Sequence, residues 1–289
     1  MEQIQARMES ALSRFLPSAE ATPQRLHQAM RYAVLGGGKR VRPLLAFAAG
    51  ELVRADAAKL EAVAASIEFI HVYSLVHDDL PCMDDDVLRR GKPTCHIQYD
   101  EATALLVGDS LQSLAFQLLA ENSLANDVKT QLEMVQILTV ASGSRGMAGG
   151  QAIDLDSVGK KLTLPELENM HLHKTGALIR ASVALGARCG NHLSQAELQQ
   201  LDYFAKIVGL MFQVVDDILD VEASSSTLGK TAGKDAQQNK PTYVSLMGMN
   251  EARALANKLY NDGLEILSKF GESALRLREL ADFIVKRSF

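Results

Sequence analysis

Residues 57–79 read AAKLEAVAASIEFIHVYSLVHDD, and this stretch decides the fold. It contains no Gly or Pro, and its Ala, Leu, Ile, Val and Phe residues cover most of a helical circumference. A helix apolar on most sides has neighbours on most sides, so it belongs inside a bundle. The run ends on Asp78-Asp79-Leu80-Pro81. Proline cannot continue the hydrogen-bond ladder, so the helix stops near Asp79. Residues 101–121 are a second helix of the same all-round apolar kind.

Outward from these two, helical patterning recurs over 2–16, 23–35, 43–54, 127–148, 165–189, 194–221, 250–268 and 272–287. Pro23 suits a first helical turn. Gly149-Gly150 is read as closing or loosening the helix over 127–148, with a polar loop around 154–163. Thr163-Leu164-Pro165-Glu166 carries the capping-box pattern of a helix start. Residues 222–242 show no period and read as a loop. Proline is scarce, at 7 of 289 residues, tryptophan is absent and aromatics are 5%. Strands favour aromatic and β-branched residues, whereas this chain leans on Ala, Leu, Glu, Gln and Lys, which favour helix. No composition break divides it and no fixed-period repeat stands out. The expectation is an all-α fold: one domain over residues 1–289, a large helical bundle with its site built from facing side chains.

With 30 Lys and Arg against 35 Asp and Glu, the net charge is −5. A nucleic-acid partner is therefore not expected, and any anionic ligand must be held by local cations or metals. Cys82, Cys95 and Cys189 form no CxxC pair, which points away from a disulfide framework and toward a reducing, cytoplasmic setting. The N-terminal residues lack the basic-then-apolar pattern of a signal peptide. No membrane span is expected, because Asp109, Gln112 and Gln117 interrupt the longest apolar run.

Two aspartate clusters carry the chemistry. The first is Asp78-Asp79-Leu80-Pro81-Cys82-Met83-Asp84-Asp85-Asp86 and the second Asp216-Asp217-Ile218-Leu219-Asp220, each directly after an apolar helical stretch. Asp216 and Asp220 are four apart and share a helix face. In the first cluster the turn at Pro81 can return Asp84 beside Asp78. Like charges at ~4 Å cost about 4 kcal/mol per pair at an effective dielectric of ~20, a cost that a hard cation removes. All-oxygen donors suit Mg²⁺ or Mn²⁺, and magnesium completes its shell with water and phosphate oxygens. Two such clusters form a natural clamp for a metal-bound diphosphate. Each cluster alone reads equally well as a solvated acidic surface; the pair in apolar helical context favours the clamp.

Cations accompany the carboxylates. Gly36-Gly37-Gly38-Lys39-Arg40-Val41-Arg42-Pro43 is a flexible turn followed by three of them. Glycine lets backbone approach an anion closely, and arginine grips phosphate through paired hydrogen bonds. Arg89-Arg90 follows the first cluster. His71, Ser74 and Asp78 share one helical stripe. Lys230, Lys234 and Lys240 sit in the loop over 222–242, which could close as a basic lid.

Five segments occur in order: Gly37-Gly38-Lys39-Arg40 with Arg42-Pro43; the Asp78 cluster followed by Arg89-Arg90-Gly91 and Pro93-Thr94-Cys95-His96; Met147-Ala148-Gly149-Gly150-Gln151; His173-Lys174-Thr175; and Phe212-Gln213 before Asp216-Asp217 and Asp220. Together they resemble the trans-isoprenyl diphosphate synthases over essentially the whole chain, and most nearly the bacterial short-chain members that make farnesyl diphosphate. The resemblance implies an all-α bundle of the isoprenoid synthase type around a deep central cavity, normally a homodimer. It implies that Asp78, Asp84 and Asp216 bind magnesium, three ions with the substrate diphosphate and Mn²⁺ able to substitute, while Asp79, Asp217 and Asp220 support the metals directly or through water. It assigns Lys39, Arg42, His71 and Arg90 to isopentenyl diphosphate, and Arg89, Lys174, Lys230 and Lys240 to the allylic diphosphate. Thr175 and Gln213 resemble the polar groups that face the developing carbocation, and Lys174, Thr175 and Gln213 are the catalytic set. The lid holds one residue more between its flanking lysines than the family pattern, so Lys234 and Asp235 receive no role.

The implied reaction is a magnesium-dependent head-to-tail condensation of isopentenyl diphosphate with dimethylallyl and then geranyl diphosphate. The implied product is the C15 diphosphate. In the family an aromatic residue five before the first aspartate is a floor for the growing chain. Tyr73 holds that place, next to Ser74, and Pro81-Cys82 match the two additional motif residues of bacterial short-chain enzymes. A terpene cyclase shares the metal clamp but has no second substrate, and so no use for Lys39, Arg42 and Arg90. A non-catalytic partner subunit is expected to have lost aspartates that this chain keeps.

Overall fold

The computed structural model describes residues 1–226 and 241–287. Lys230, Lys234, Asp235 and Lys240, and with them the part of the expected lid over 227–240, lie outside the described residues. The described chain is all-α, with fourteen α-helices, a π-helical turn, a 3-10 turn over Gly271–Ala274 and one two-stranded ribbon among the described residues. It divides into two compact units, Met1–Leu138 with Leu185–His192, and Thr139–Ala184 with Leu193–Phe289.

The first unit is built on α4 (Ala57–Asp78), preceded by α1 (Glu2–Phe15), α2 (Gln24–Val34) and α3 (Val41–Leu52). Asp56 caps α4 by accepting from the Ala58 N–H, the bond that satisfies a free donor at a helix start. Leu60, Val63, Ile67, Phe69, Ile70 and Val72 are buried on several sides of α4, as its all-round apolar sequence demands. α3 and α6 (Glu101–Glu121) pack along it. Two glycines permit this closeness. A Cβ on Gly50 of α3 would meet Leu60 Cδ2 at 2.2 Å, and one on Gly108 of α6 would meet His77 Nε2 at 2.0 Å. By length and composition α6 could cross a membrane; here it packs against α4 and α2. A ribbon, β1 (Leu88–Arg89) and β2 (Lys92–Pro93), and a short helix α5 (Cys95–Gln98) precede α6. The helical reading does not anticipate the ribbon. α7 (Val128–Ser142) follows α6 and runs from this unit into the second.

In the second unit α8 (Met147–Ser157) is followed by α9 (Leu164–His171), a single π-helical turn over Leu172–Gly176, and α10 (Ala177–Gly186), whose last two residues belong to the first unit. The long α11 (Gln195–Ser226), α12 (Tyr243–Met247), α13 (Met249–Ser268) and α14 (Leu275–Lys286) complete it. The capping box at Thr163 is present, with both the Thr163 N–H and its hydroxyl donating to Glu166.

Several boundaries differ from the sequence reading. The backbone of α11 stays helical to Ser226, into the 222–242 stretch read as a loop, and the single helix read over 165–189 is α9, the π turn and α10. The helix over 127–148 ends at Ser142, and Gly149-Gly150 lie inside α8, which continues through residues assigned to the polar loop. These glycines are there for proximity, not termination. A Cβ on Gly149 would sit 2.0 Å from Ser144 O, and one on Gly150 would sit 2.0 Å from Lys174 N in the π turn. Gly150→Ala therefore forces α8 and the Lys174 turn apart. The expected loss is about 1–3 kcal/mol, the usual cost of overpacking, read as a lower denaturant midpoint. An unchanged midpoint would show that the turn yields without cost.

Candidate active site

In the first unit, the site residues gather at the C-terminal end of α4. Asp79 caps the helix, and the chain folds back so that the Asp84 N–H donates to Asp78 O at 2.9 Å. The turn at Pro81 thus returns Asp84 beside Asp78, as the sequence indicates. Asp85 has φ 50°, in the left-handed region. The chain then enters the ribbon, whose two-residue loop is Arg90-Gly91 with φ 53° and 74°. Positive φ at both positions is the signature of the tight hairpin turn whose twist suits a strand pair.

This hairpin sends adjacent arginines in different directions. Arg89 Nε donates to both Asp79 carboxylate oxygens, at 2.8 and 2.9 Å, and Arg89 Nη2 also reaches Asp79. Asp86 lies 3.6 Å from Arg89. Arg90 Nη1 instead donates to Gly37 O at 2.8 Å. Gly36, Gly37 and Gly38 all have positive φ, between 98° and 124°. A Cβ on Gly38 would lie 3.0 Å from the Arg90 guanidinium carbon, so glycine here admits the arginine.

The predicted isopentenyl-diphosphate group is gathered in part. His71 lies in the field of Arg42, Arg90, Arg89 and Arg40, and burial followed by these four cations holds its pKa well below the ordinary imidazole value. A neutral imidazole results. It offers a hydrogen bond without competing for the arginines. Lys39 is exposed on the same loop. Ser74 Oγ donates to His71 O at 2.8 Å. Tyr73 is half-buried, edge-on to His77 with ring centres 5.3 Å apart, and hydrogen-bonds Gln112 on α6.

In the second unit, the π turn carries His173-Lys174-Thr175. A π turn inserts one residue into an α-helical run and marks functional sites often. Lys174 Nζ donates to Asp154 Oδ2 on α8, and Thr175 Oγ1 donates to the Gln213 side-chain oxygen on α11. The catalytic Thr175 and Gln213 of the sequence reading are therefore direct partners. A Cβ on Gly209 would lie 3.0 Å from Gly176 Cα, so glycine brings α11 against this turn.

The second aspartate cluster lies on α11. Asp216 accepts from Arg287 Nη2 at 2.6 Å, and the same nitrogen donates to Phe212 O at 2.8 Å. The Arg287 guanidinium sits 3.9 Å from the Phe212 ring centre, a cation–π contact. Asp217 is buried and accepts from the Tyr243 N–H at 2.7 Å. Nearby His171 is held neutral by burial, with its pKa down at about 4.

Asp154 and Arg287 are partners of predicted site residues that the sequence reading does not single out. Asp154 follows Gln151 by three residues, but reading the stretch from 154 as a polar loop hides that helical spacing. Arg287 belongs to a Lys-Arg pair seventy residues beyond the aspartates, and nothing local marks it.

No group of three His, Cys, Asp or Glu poised to hold an ion occurs among the described residues. Any ion on Asp78 and Asp84, or on Asp216, must then take further oxygens from substrate and water. Hard carboxylate oxygens supplied one or two at a time fit magnesium's habit of completing its shell with phosphate and water.

The polyprenyl synthetase family profile matches residues 23–272. The chain is 46% identical over 282 residues to the farnesyl diphosphate synthase of Escherichia coli, covering 96% of this chain and 94% of that protein. It is also 46% identical over 284 residues to the heterodimeric geranylgeranyl pyrophosphate synthase large subunit 1 of Arabidopsis thaliana, covering 96% of this chain and 76% of that one. A geranyltransferase from Helicobacter pylori, solved with magnesium and isoprenyl diphosphate, superposes with a TM-score of 0.83 at 34% identity, covering 98% of this chain and 94% of the other. With aspartates, arginines and the lysine-bearing turn in place on an all-α scaffold, the chain belongs to the polyprenyl synthetase family.

Proposed function

We propose that this chain is a prenyltransferase that condenses isopentenyl diphosphate with dimethylallyl and geranyl diphosphate to farnesyl diphosphate, releasing inorganic diphosphate. The observation that carries this reading is the hairpin at Arg89-Arg90. One turn commits a cation to the first aspartate cluster and the next cation to the glycine loop. A reaction between two diphosphates needs cations in two places, whereas a cyclase needs one. The family match and the relatives that make isoprenoid diphosphates support it.

In this reading Asp78, Asp84 and Asp216 are the magnesium ligands, with three ions and with Mn²⁺ able to replace Mg²⁺. Asp79, Asp217 and Asp220 support them. Bound magnesium supplies the charge neutralisation that makes diphosphate a leaving group. Lys39, Arg42, Arg90 and neutral His71 hold isopentenyl diphosphate. Arg89 and Lys174 hold the allylic diphosphate, joined by Lys230 and Lys240. Asp79 and Asp154 fix Arg89 and Lys174 in position beforehand, so little reorganisation is required when the anion arrives. As the allylic C1–O bond breaks, the Thr175–Gln213 pair presents oxygen dipoles to the developing cation. The isopentenyl double bond attacks C1 through C4, and a proton leaves to the departing diphosphate.

All 289 residues serve as one catalytic domain in this proposal. The active form is a homodimer, and the exposed Leu105 and Leu106 of α6 and Val128 and Leu132 of α7 supply apolar surface for it. Free Cys82, Cys95 and Cys189 suit a reducing, cytoplasmic setting.

Chelation by EDTA should abolish turnover, and Asp78→Ala or Asp216→Ala should lower kcat by about 10³-fold or more, the scale of losing an electrostatic catalytic group. Radiolabelled isopentenyl diphosphate incorporation measures both. Full activity in EDTA would remove the metal from the mechanism.

Product length rests on Tyr73. Its ring stands edge-on to His77 one turn along the same helix and its hydroxyl meets Gln112 on α6, which suits a floor one turn and a half below Asp78. Tyr73→Ala should shift the product from C15 toward C20, read by chromatography of the dephosphorylated alcohols. An active variant that still makes only C15 would move the floor to another side chain.

A further inference from the structure

α1 lies outside residues 23–272 that match the family, and no residue of it belongs to the site proposed above. It nevertheless holds the glycine loop in three ways. Gln5 Nε2 donates to Lys39 O at 3.0 Å. Glu9 Oε1 accepts from the Gly36 N–H at 2.6 Å. Glu9 Oε2 pairs with Arg40 Nη2 at 2.9 Å.

Arg40 is the middle cation of the loop, yet its guanidinium is turned inward. Its side chain is 1% exposed and pairs with buried Glu68 on α4, and it donates to Val34 O at 2.7 Å at the end of α2. Two carboxylates and a carbonyl thus absorb its charge, whereas the cations assigned above to isopentenyl diphosphate are Lys39 on the loop and Arg42 on the first turn of α3. Burial pushes the Glu9 carboxyl up, but the Gly36 N–H and Arg40 outweigh it and hold its pKa below the ordinary glutamate value. Glu9 is therefore charged at neutral pH and bound to the loop at both ends.

The loop needs such restraint. Gly36, Gly37, Gly38 and Arg40 all have positive φ. Three consecutive glycines carry large backbone entropy, and their conformation must be imposed from outside.

We propose that Gln5 and Glu9 are positioning residues for the second substrate: α1 braces the glycine loop so that Lys39 and Arg42 meet the diphosphate of isopentenyl diphosphate. This rests on the assignment of Lys39 and Arg42 made above. Neither α1 residue touches substrate. Both act through the loop backbone and Arg40.

Steady-state kinetics of the full-length enzyme, varying each substrate in turn, tests it with three alanine variants and one conservative one. Glu9→Ala should raise KM for isopentenyl diphosphate at least fivefold while KM for geranyl diphosphate stays within twofold. Gln5→Ala should do the same to a smaller degree. Glu9→Gln keeps an acceptor for the Gly36 N–H and should recover part of the loss. Lys39→Ala is the control for the underlying assignment and should raise KM for isopentenyl diphosphate alone. If Lys39→Ala behaves so while Glu9→Ala and Gln5→Ala leave that KM within twofold, or raise both constants together, the bracing role is overturned. If Lys39→Ala itself leaves the constant unchanged, the assignment of the loop to this substrate is what fails. Should Glu9→Ala not fold, Gln5→Ala, which removes one half-buried side chain, decides alone.

Discussion

Carboxylates at the end of an apolar helix have to be neutralised, and the arrangement of this protein follows from how that is done. Bare neighbouring aspartates repel by about 4 kcal/mol per pair at contact distance. The structure answers with one cation or donor for each of several acidic groups. Arg89 covers Asp79, Lys174 covers Asp154, Arg287 covers Asp216, and the Tyr243 N–H covers Asp217. Where a cation is already fixed by a carboxylate, a substrate anion meets it preorganised. Where a carboxylate keeps oxygens available, a hard metal ion can share it. In the proposed reading the same pairs stabilise the resting protein and prepare it for anionic ligands.

The two arginines of the hairpin show how local backbone divides labour. Left-handed φ at Arg90 and Gly91 closes a two-residue turn, and that turn directs Arg89 and Arg90 to different partners. The glycine loop receives Arg90 because Gly38 has no side chain. Lysine would not substitute well for Arg89, since Asp79 is held by more than one guanidinium nitrogen. Neutral His71 completes this neighbourhood with a hydrogen-bonding group that adds no charge.

Much of this was legible in the sequence. The apolar circumference of residues 57–79 and 101–121 indicates buried bundle helices, and both are found with bounds within a residue of those read. Pro81 indicates the end of α4 and the return of Asp84. The capping box at Thr163 is visible because its pattern is local. What escaped depends on contacts between distant segments. Gly149-Gly150 looks like a helix stop until Lys174 is seen against Gly150 at a distance no side chain allows. The π turn at Leu172–Gly176 has no periodic signature distinct from an α-helix. Arg287 pairs with Asp216 across seventy-one residues of chain, and the inward turn of Arg40 toward Glu68 reverses what a run of three cations suggests.

The central claim is that the acidic and basic groups serve a condensation between two diphosphates. Purified protein incubated with Mg²⁺, isopentenyl diphosphate and either dimethylallyl or geranyl diphosphate tests it directly, with the product chain length read by mass spectrometry. The account predicts consumption of isopentenyl diphosphate and accumulation of a linear C15 diphosphate from both allylic substrates. Release of a cyclised hydrocarbon with isopentenyl diphosphate left untouched would contradict it.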